Sequence, residues 1–320
     1  VMDDKKEKLY KECLNTIGSY RKALKKKMPK VKKYKKKAFQ LTAGATKEEF
    51  VSVTNKIKKN ILEGDILLAN PSRELTANYN AEPLDIYLQL KQILQGRMFY
   101  INSDDGILLG SGLNTNLRVK GDKEKIVEAS IIGKSNPRGL VNGSIDKDLD
   151  NKYEAELKVN SEEVARHIVL IDFARNDLAR ISERGSIYTD RLYAVEKHSN
   201  VQYLASNVKC ILRNDLDALH VYLAIMNAQA GTPKITAIKL LRQYEKTKRG
   251  FYGGSFCCMT PGGDLNSTII TRALKLKNNK AYARAEANLT YNTLPENAFQ
   301  ETEDMAKTFI NAIKLSGGLR

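Results

Sequence analysis

The chain has 320 residues, 42% of them hydrophobic, which is enough to bury the core of one large domain or two small ones. No segment approaches the roughly 20 apolar residues of a membrane-spanning helix, the lysine-rich start is unlike a signal peptide, and the four cysteines are spaced neither for zinc nor for disulfides. The formal net charge of +16 suits a nucleic-acid partner, but the other features indicate a soluble cytoplasmic protein without a membrane partner.

Residues 1–45 are predicted to form a helix followed by a basic linker. Apolar residues recur at helical intervals from Leu9 to Leu24, and Pro29 ends the pattern. Between Arg21 and Lys37 the chain carries 11 Lys or Arg and no acid, so most of the net charge is concentrated there. Blocks of like charge repel one another and stay solvated, which favours a connector. The alternative is an arm that neutralises nucleic-acid phosphates, for which Tyr34 alone offers base stacking; a nucleic-acid partner is therefore not expected.

Residues 46–320 are predicted to form one domain of mixed α and β structure. A helix begins with the capping box of Thr46 and Glu49. Two β-rich runs, Met98–Ile101 and Ile107–Leu109, flank an Asp-Asp-Gly turn, which indicates antiparallel strands. Further helices are expected at 160–174, 234–246 and 295–315, and further strands at 267–275 and 280–289.

The most specific residues of the chain lie in ordered segments between Phe50 and Leu315. They are Ile66–Arg73, Ile131–Gly139, His167–Arg180, Leu216–Lys234, Lys248–Gly254 and Gly263–Asn266, followed by Arg272. In this order they resemble the chorismate-utilising enzymes, and among them anthranilate synthase component I, the large subunit. The resemblance implies an α+β fold in which two large antiparallel β-sheets pack together with helices outside. It does not include the N-terminal half of a full-length subunit, so feedback inhibition is not expected.

The resemblance implies an enzyme of tryptophan biosynthesis that depends on Mg²⁺. Such enzymes convert chorismate and ammonia to anthranilate and pyruvate, and a glutamine amidotransferase subunit, component II, supplies the ammonia. Magnesium prefers oxygen ligands, which the family presents from two helices that each carry two Glu three residues apart. Here one helix has Glu163 and Arg166, and the other has Ala298 and Glu301. Residues at i and i+3 share a helix face, so Arg166 places a cation where a second carboxylate would meet the metal.

The two remaining carboxylates are the candidate metal ligands, and each also has a structural interpretation. Glu163 with Asn160 fits a helix start or an ion pair, and Glu301 fits a solvated helix surface. His167 lies next to the first ligand position but is interpreted as a core or helix-end histidine. The resemblance therefore implies a magnesium site that is weakened or absent.

Several candidate substrate-binding positions keep the residues that the family has there, whereas others are changed. Glu286 and Asn288 replace glycines that let the backbone approach chorismate, and Asn114 stands at a proposed general acid. Tyr203 stands at an active-site histidine, which none of the three histidines of the chain is expected to restore. The matching positions are Gly133, Lys134, Tyr252, Gly253, Gly254, Arg272 and Ala287.

Arg272 suits bidentate recognition of a carboxylate, although a surface ion pair is the alternative. Taken together, the residues predict an anthranilate synthase component I-like protein whose catalysis is impaired. Two further hypotheses stay open: an inactive family member or degenerate gene product that acts at most as a scaffold, and nucleic-acid binding through the basic arm.

Overall fold

The computed structural model describes residues 4–26, 41–94, 96–112, 116–141, 144–198, 201–225 and 229–318. The chain divides into two compact units, residues 1–34 and residues 35–320. In the first unit helix α1 spans Asp4–Leu24, which confirms the helix predicted there. Within the described ranges no helix combines the length and the apolar character that a bilayer crossing requires.

The described part of the second unit contains seven α-helices and sixteen β-strands. The helices are α2 (Lys47–Leu62), α3 (Pro83–Ile93), α4 (Lys147–Val159), α5 (Ser161–Ala179), α6 (Ala218–Ile225), α7 (Lys234–Tyr244) and α8 (Pro295–Ile313), which continues as a π-helical turn over Lys314–Gly318. The strands are β1 (Leu41–Ala43), β2 (Leu68–Ala69), β3 (Ser72–Asn78), β4 (Arg97–Ser103), β5 (Gly106–Gly112), β6 (Leu117–Lys120), β7 (Ile126–Pro137), β8 (Leu140–Val141), β9 (Ser144–Ile145), β10 (Tyr188–Lys197), β11 (Val201–Ile211), β12 (Gly231–Thr232), β13 (Ser255–Met259), β14 (Leu265–Ile269), β15 (Arg272–Lys277) and β16 (Lys280–Glu286).

Two six-stranded sheets organise this unit, and every pairing among the described strands is antiparallel. The first sheet has the order β1-β3-β16-β15-β5-β4, and the second has the order β10-β11-β7-β6-β14-β13. Phe99 of the first sheet stacks on Phe256 of the second, with 5.8 Å between ring centroids. The α+β class with two large antiparallel sheets is confirmed.

Local signals in the sequence explain where several elements begin. Thr46 caps α2, because its Oγ1 accepts a hydrogen bond from the Glu49 backbone and the Glu49 carboxylate accepts one from the Thr46 backbone. Phe50 and Ile57 then bury the apolar face of this helix. The predicted hairpin is also present, since β4 pairs with β5 across the turn before Gly106.

The helices cover the sheets with their apolar faces. Ile171 and Leu178 of α5 and Val221 of α6 pack with Val127 and Val208 of the second sheet in one buried cluster. Helix α8 lies against β16 and β3 of the first sheet. The helices that carry Glu163 and Glu301, α5 and α8, thus lie against β7 of the second sheet and β16 of the first.

The prediction of a single strand over residues 267–275 was wrong. Strand β14 ends at Ile269 in the second sheet, and β15 begins at Arg272 in the first, so the chain passes from one sheet to the other at Ile270 and Thr271. Both crossing residues are buried. Because they are as apolar or β-branched as the strand residues around them, the local pattern does not reveal the crossing.

Candidate active site

The crossing between the sheets brings four of the predicted substrate-binding residues together. Gly253 donates its backbone N–H to the Ile270 carbonyl at 2.9 Å, and Ile270 donates to the Gly254 carbonyl at 2.8 Å. The φ of Gly253 is +75°, in the left-handed region that favours glycine. These bonds hold Tyr252 beside Arg272, close enough for the tyrosine to act on the pKa of the arginine.

Arg272 is a desolvated cation that no described residue neutralises. Burial lowers the pKa of Arg272 below its ordinary value, and its guanidinium forms neither a hydrogen bond nor an ion pair with the residues that the structure describes. A buried cation without a counter-ion costs free energy, which a carboxylate ligand would offset. Carboxylate recognition by Arg272 stays a prediction that this arrangement is able to serve.

Glu286 fills the space beside Tyr252. Burial raises the pKa of Glu286 to about 7, and Tyr252 and then Arg249 oppose this shift. The Glu286 Oε1 atom accepts a hydrogen bond from Gln229 Nε2 at 3.5 Å. Although Tyr252 lies close enough to act on this pKa, its buried Oη and the buried Oε2 of Glu286 have no hydrogen-bond partner among the described residues.

Asn70 and Asn288 extend this buried polar cluster along one face of the first sheet. Glu286 pairs with Ser72 in the ladder, and Leu289 exchanges backbone hydrogen bonds with Ala69, so Asn288 lies opposite Asn70. The Oδ1 atoms of both asparagines are buried, with no hydrogen-bond partner in the described part of the chain. Polar groups in this state cost free energy unless a water or a ligand satisfies them.

An arginine pair that the sequence did not single out fixes the segment before Tyr252. Arg249 donates from Nε and Nη2 to the two carboxylate oxygens of Glu245, at 2.8 and 2.6 Å. Arg284 of β16 places its Nη1 3.6 Å from the same carboxylate and donates to Ser72 Oγ at 3.1 Å. Arg284 lies more than 30 residues from its partner in sequence, so no local motif reveals the network.

Glu163 and Arg166 form an ion pair at the start of α5. Asn160 caps the helix, because its Oδ1 accepts the Glu163 backbone N–H at 3.1 Å. The Glu163 Oε2 atom accepts two hydrogen bonds from Arg166, one from Nε at 2.9 Å and one from Nη2 at 2.5 Å. Each side chain is about one-fifth exposed, so the pair is only partly screened by water.

Glu301 of α8 lies within electrostatic reach of this pair. Its carboxylate accepts the backbone N–H of Asn288 at 3.2 Å. Burial of the carboxyl end raises the pKa of Glu301 although the residue as a whole is exposed; the charge of Arg166 opposes this shift and that of Glu163 adds to it. Helices α5 and α8 therefore bring all three charged side chains into one neighbourhood.

These side chains do not fit a bound Mg²⁺. Arg166 occupies Oε2 of Glu163, and Ala298 is fully buried against Phe50 and Ala287. Across the described ranges no three His, Cys, Asp or Glu residues cluster as metal ligands would. Magnesium requires several oxygen ligands in octahedral geometry, so a cation already bound to one of two carboxylates works against it.

Gly133 and His167 pack tightly under the second sheet. A Cβ atom at Gly133 would lie 2.8 Å from His167 Nδ1, so glycine is required there. His167 is buried, its Nε2 hydrogen-bonds Ser206 Oγ at 2.9 Å, and burial lowers its pKa to about 4. It is therefore a neutral core histidine. Lys134 follows in β7 with its side chain outside the described residues, and Asn114 lies outside them altogether.

Tyr203 contacts a histidine, and whether any histidine restores the family's active-site residue stays a prediction. His198 stacks on the Tyr203 ring, and its Nε2 lies 2.8 Å from the tyrosine Oη. The same hydroxyl donates to Glu196 Oε2 at 2.9 Å. The antiparallel pairing of β10 with β11 brings His198 and Tyr203, five positions apart in sequence, into contact. The residue types alone do not indicate this pairing.

The chain matches the family model described as chorismate binding enzyme over residues 2–311. It is 37% identical over 295 residues to anthranilate synthase component 1 of Buchnera aphidicola subsp. Rhopalosiphum padi, and 35% identical over 277 residues to that of Vibrio cholerae serotype O1. These matches cover 91% and 86% of the chain but only 57% and 53% of the two relatives. The chain thus spans little more than half the length of the curated relatives it matches.

Solved structures show the same fold at lower identity. Anthranilate synthase component I from Streptococcus pneumoniae TIGR4 superposes with a TM-score of 0.81 at 24% identity, over 92% of this chain and 65% of that one. The menaquinone-specific isochorismate synthase MenF from Escherichia coli superposes with a TM-score of 0.76 at 17% identity, over 90% of this chain and 65% of that one. At these identities the likeness concerns the fold.

Proposed function

The chain belongs to the chorismate binding enzyme family, and from this premise we propose that it is an anthranilate synthase component I-like protein of tryptophan biosynthesis in which Mg²⁺-dependent conversion of chorismate to anthranilate has been lost. Its chorismate-binding framework is retained in Arg272 and in the glycines that hold Tyr252. The carboxylates that would hold Mg²⁺ are not all retained, because Arg166 and Ala298 stand at two of the four positions.

One observation carries the loss of catalysis: the Arg166 guanidinium is bound to the Glu163 carboxylate. A metal ion that reached Glu163 would have to break this charge-assisted pair and approach a fixed positive charge. Glu286 adds to the effect, because its carboxyl group fills space beside Tyr252 where the family has glycine and would repel an anionic substrate when ionised.

The test is a fluorescence assay of anthranilate formation from chorismate, with Mg²⁺ and excess ammonium. The Vibrio cholerae relative is assayed in parallel as the reference. We expect the chain to be slower than the reference by at least about 100-fold, since loss of one positioned catalytic group typically costs that much. A rate within about tenfold of the reference would contradict the proposal.

The same premise supports chorismate as ligand and a glutamine amidotransferase subunit, component II, as partner in the cytoplasm. All four cysteines are free, which suits a reducing compartment. Without catalysis, the chain acts at most as a scaffold for that subunit. Co-purification of the two chains tests the partnership, and failure to form any complex would count against it.

A further inference from the structure

We propose that the Arg166 guanidinium takes the place of the metal ion in this site, so that the site binds a carboxylate ligand without any divalent cation. The inference deepens the proposed function and rests on it only in assuming that the ligand carries a carboxylate. It concerns binding, and it holds whether or not the bound ligand reacts.

The position of the Arg166 guanidinium supports metal-free binding. Arg166 lies one helical turn after Glu163 and spends two of its five N–H donors on Glu163 Oε2. Its Nη1 group donates to no residue in the described part of the chain. A carboxylate ligand can therefore dock on the remaining N–H groups while the ion pair with Glu163 stays intact.

The second support is that both candidate metal ligands already have donors. Glu163 accepts from Arg166, and Glu301 accepts the backbone N–H of Asn288. A divalent ion would have to compete with these bonds at each carboxylate, whereas a carboxylate ligand competes with neither. One of the two negative charges that a metal would neutralise is thus paired with Arg166, and the other accepts a backbone N–H.

The third support is a second guanidinium. Arg272 has no counter-ion among the described residues and lies beside Tyr252. Tyr252 and Glu301 both lie within electrostatic reach of Glu286. Arg166 lies within reach of Glu301. Guanidinium groups bind carboxylates through paired N–H donors and need no metal to do so. The ligand class that follows is a small dicarboxylate, of which chorismate is the available probe.

The experiment is isothermal titration calorimetry of chorismate into the full chain, once with EDTA and once with excess Mg²⁺. We expect the same dissociation constant in both buffers. Arg166→Gln should weaken binding in EDTA by at least about tenfold, because a hydrogen bond to a charged group is removed. Arg166→Lys keeps the charge but not the paired donors, and should restore part of the affinity that Arg166→Gln loses. Arg180→Gln, which removes a largely exposed arginine at the end of the same helix, is the matched control and should bind as the wild type does.

Three results would overturn the inference: binding by the wild type only with Mg²⁺, equal affinity of the wild type and Arg166→Gln, or no binding in either buffer. The lysine variant distinguishes lost recognition from a folding defect. It restores affinity only if the ligand recognises the positive charge at position 166. Anthranilate formation does not enter this readout. Turnover with Mg²⁺ together with unchanged affinity in EDTA would contradict the proposed function and leave this inference standing.

Discussion

The side chain at position 166 sets the charge of the space that α5 and α8 share. The sequence alone placed a cation there, since residues three apart share a helix face. It did not reveal that Arg166 would bind Glu163 through two hydrogen bonds, or that the Glu301 carboxylate would accept the Asn288 backbone N–H. Both contacts depend on rotamers and on the approach of two distant segments.

Glu286 yields a prediction for the pH dependence of stability. Its pKa is raised from 4.5 to about 7 in the folded protein, so the folded state holds the proton more tightly than the unfolded state. The contribution of Glu286 to the free energy of unfolding is fully present below pH 4.5 and is lost as the pH rises through 7. By about pH 8 the loss should reach about 3 kcal/mol, at roughly 1.4 kcal/mol for each unit of pKa.

Urea unfolding of the wild type and Glu286→Gln at about pH 5 and about pH 8 measures this effect. Most other titrating groups are common to both proteins and cancel in the comparison. We expect the difference in the free energy of unfolding, Glu286→Gln minus wild type, to be about 3 kcal/mol larger at the higher pH than at the lower one. A difference that does not change with pH would show that Glu286 is not buried as described.

At the scale of elements, Arg73 fastens α8 to the first sheet. It is 4% exposed, its Nε donates to Thr302 Oγ1 at 2.7 Å, its Nη2 binds the Glu303 carboxylate, and its guanidinium lies 4.4 Å from the Phe299 ring centroid. Since α8 also carries Glu301, this contact holds one wall of the candidate site in place.

Replacing Arg73 by Met should lower the free energy of unfolding by about 1 to 3 kcal/mol, because the buried Thr302 Oγ1 loses its donor and Glu303 loses its charged partner. The control is Arg213→Met, which removes an exposed pair with Asp215 and should leave the free energy of unfolding nearly unchanged. Urea unfolding measures both variants. Equal losses would mean that the Arg73 contact does not anchor α8.

Ala298 gives a second prediction for the same helix. It is fully buried against Phe50 and Ala287. A lone Glu at this position would bury a carboxylate without a donor, so Ala298→Glu should destabilise the protein by about 3 kcal/mol or more. Thermal unfolding tests this, with Asn297→Glu, at an exposed position of the same helix, as the control. A melting temperature unchanged in Ala298→Glu would contradict the packing of this helix.

Helices and hairpins were predictable where local chemistry defines their ends. The capping box of α2 and the Asp-Asp-Gly turn before β5 are examples. The passage of the chain between sheets at Ile270 and Thr271 was not, because it depends on backbone bonds to Gly253 and Gly254, which lie well before it in sequence. The sequence also did not reveal Arg249 and His198 as residues of the site. They are recognisable only from the residues that they contact in the folded protein.

At the scale of the whole molecule, the basic run at residues 21–37 remains predicted as a solvated connector; residues 27–40 lie outside the described ranges. A connector makes no contact with nucleic acid, so deleting residues 21–37 should leave RNA affinity and its salt dependence unchanged. Filter binding at two salt concentrations measures this. A marked loss of affinity, together with a loss of the salt dependence, would instead support a nucleic-acid arm.

An internal arginine that takes the place of the metal leaves no site for Mg²⁺ between α5 and α8. Calorimetric titration of Mg²⁺ should show no saturable binding to the wild type. Arg166→Glu should bind Mg²⁺ saturably, because a carboxylate then stands one turn from Glu163 and faces Glu301. Saturable binding to the wild type, or none to the variant, would contradict the account.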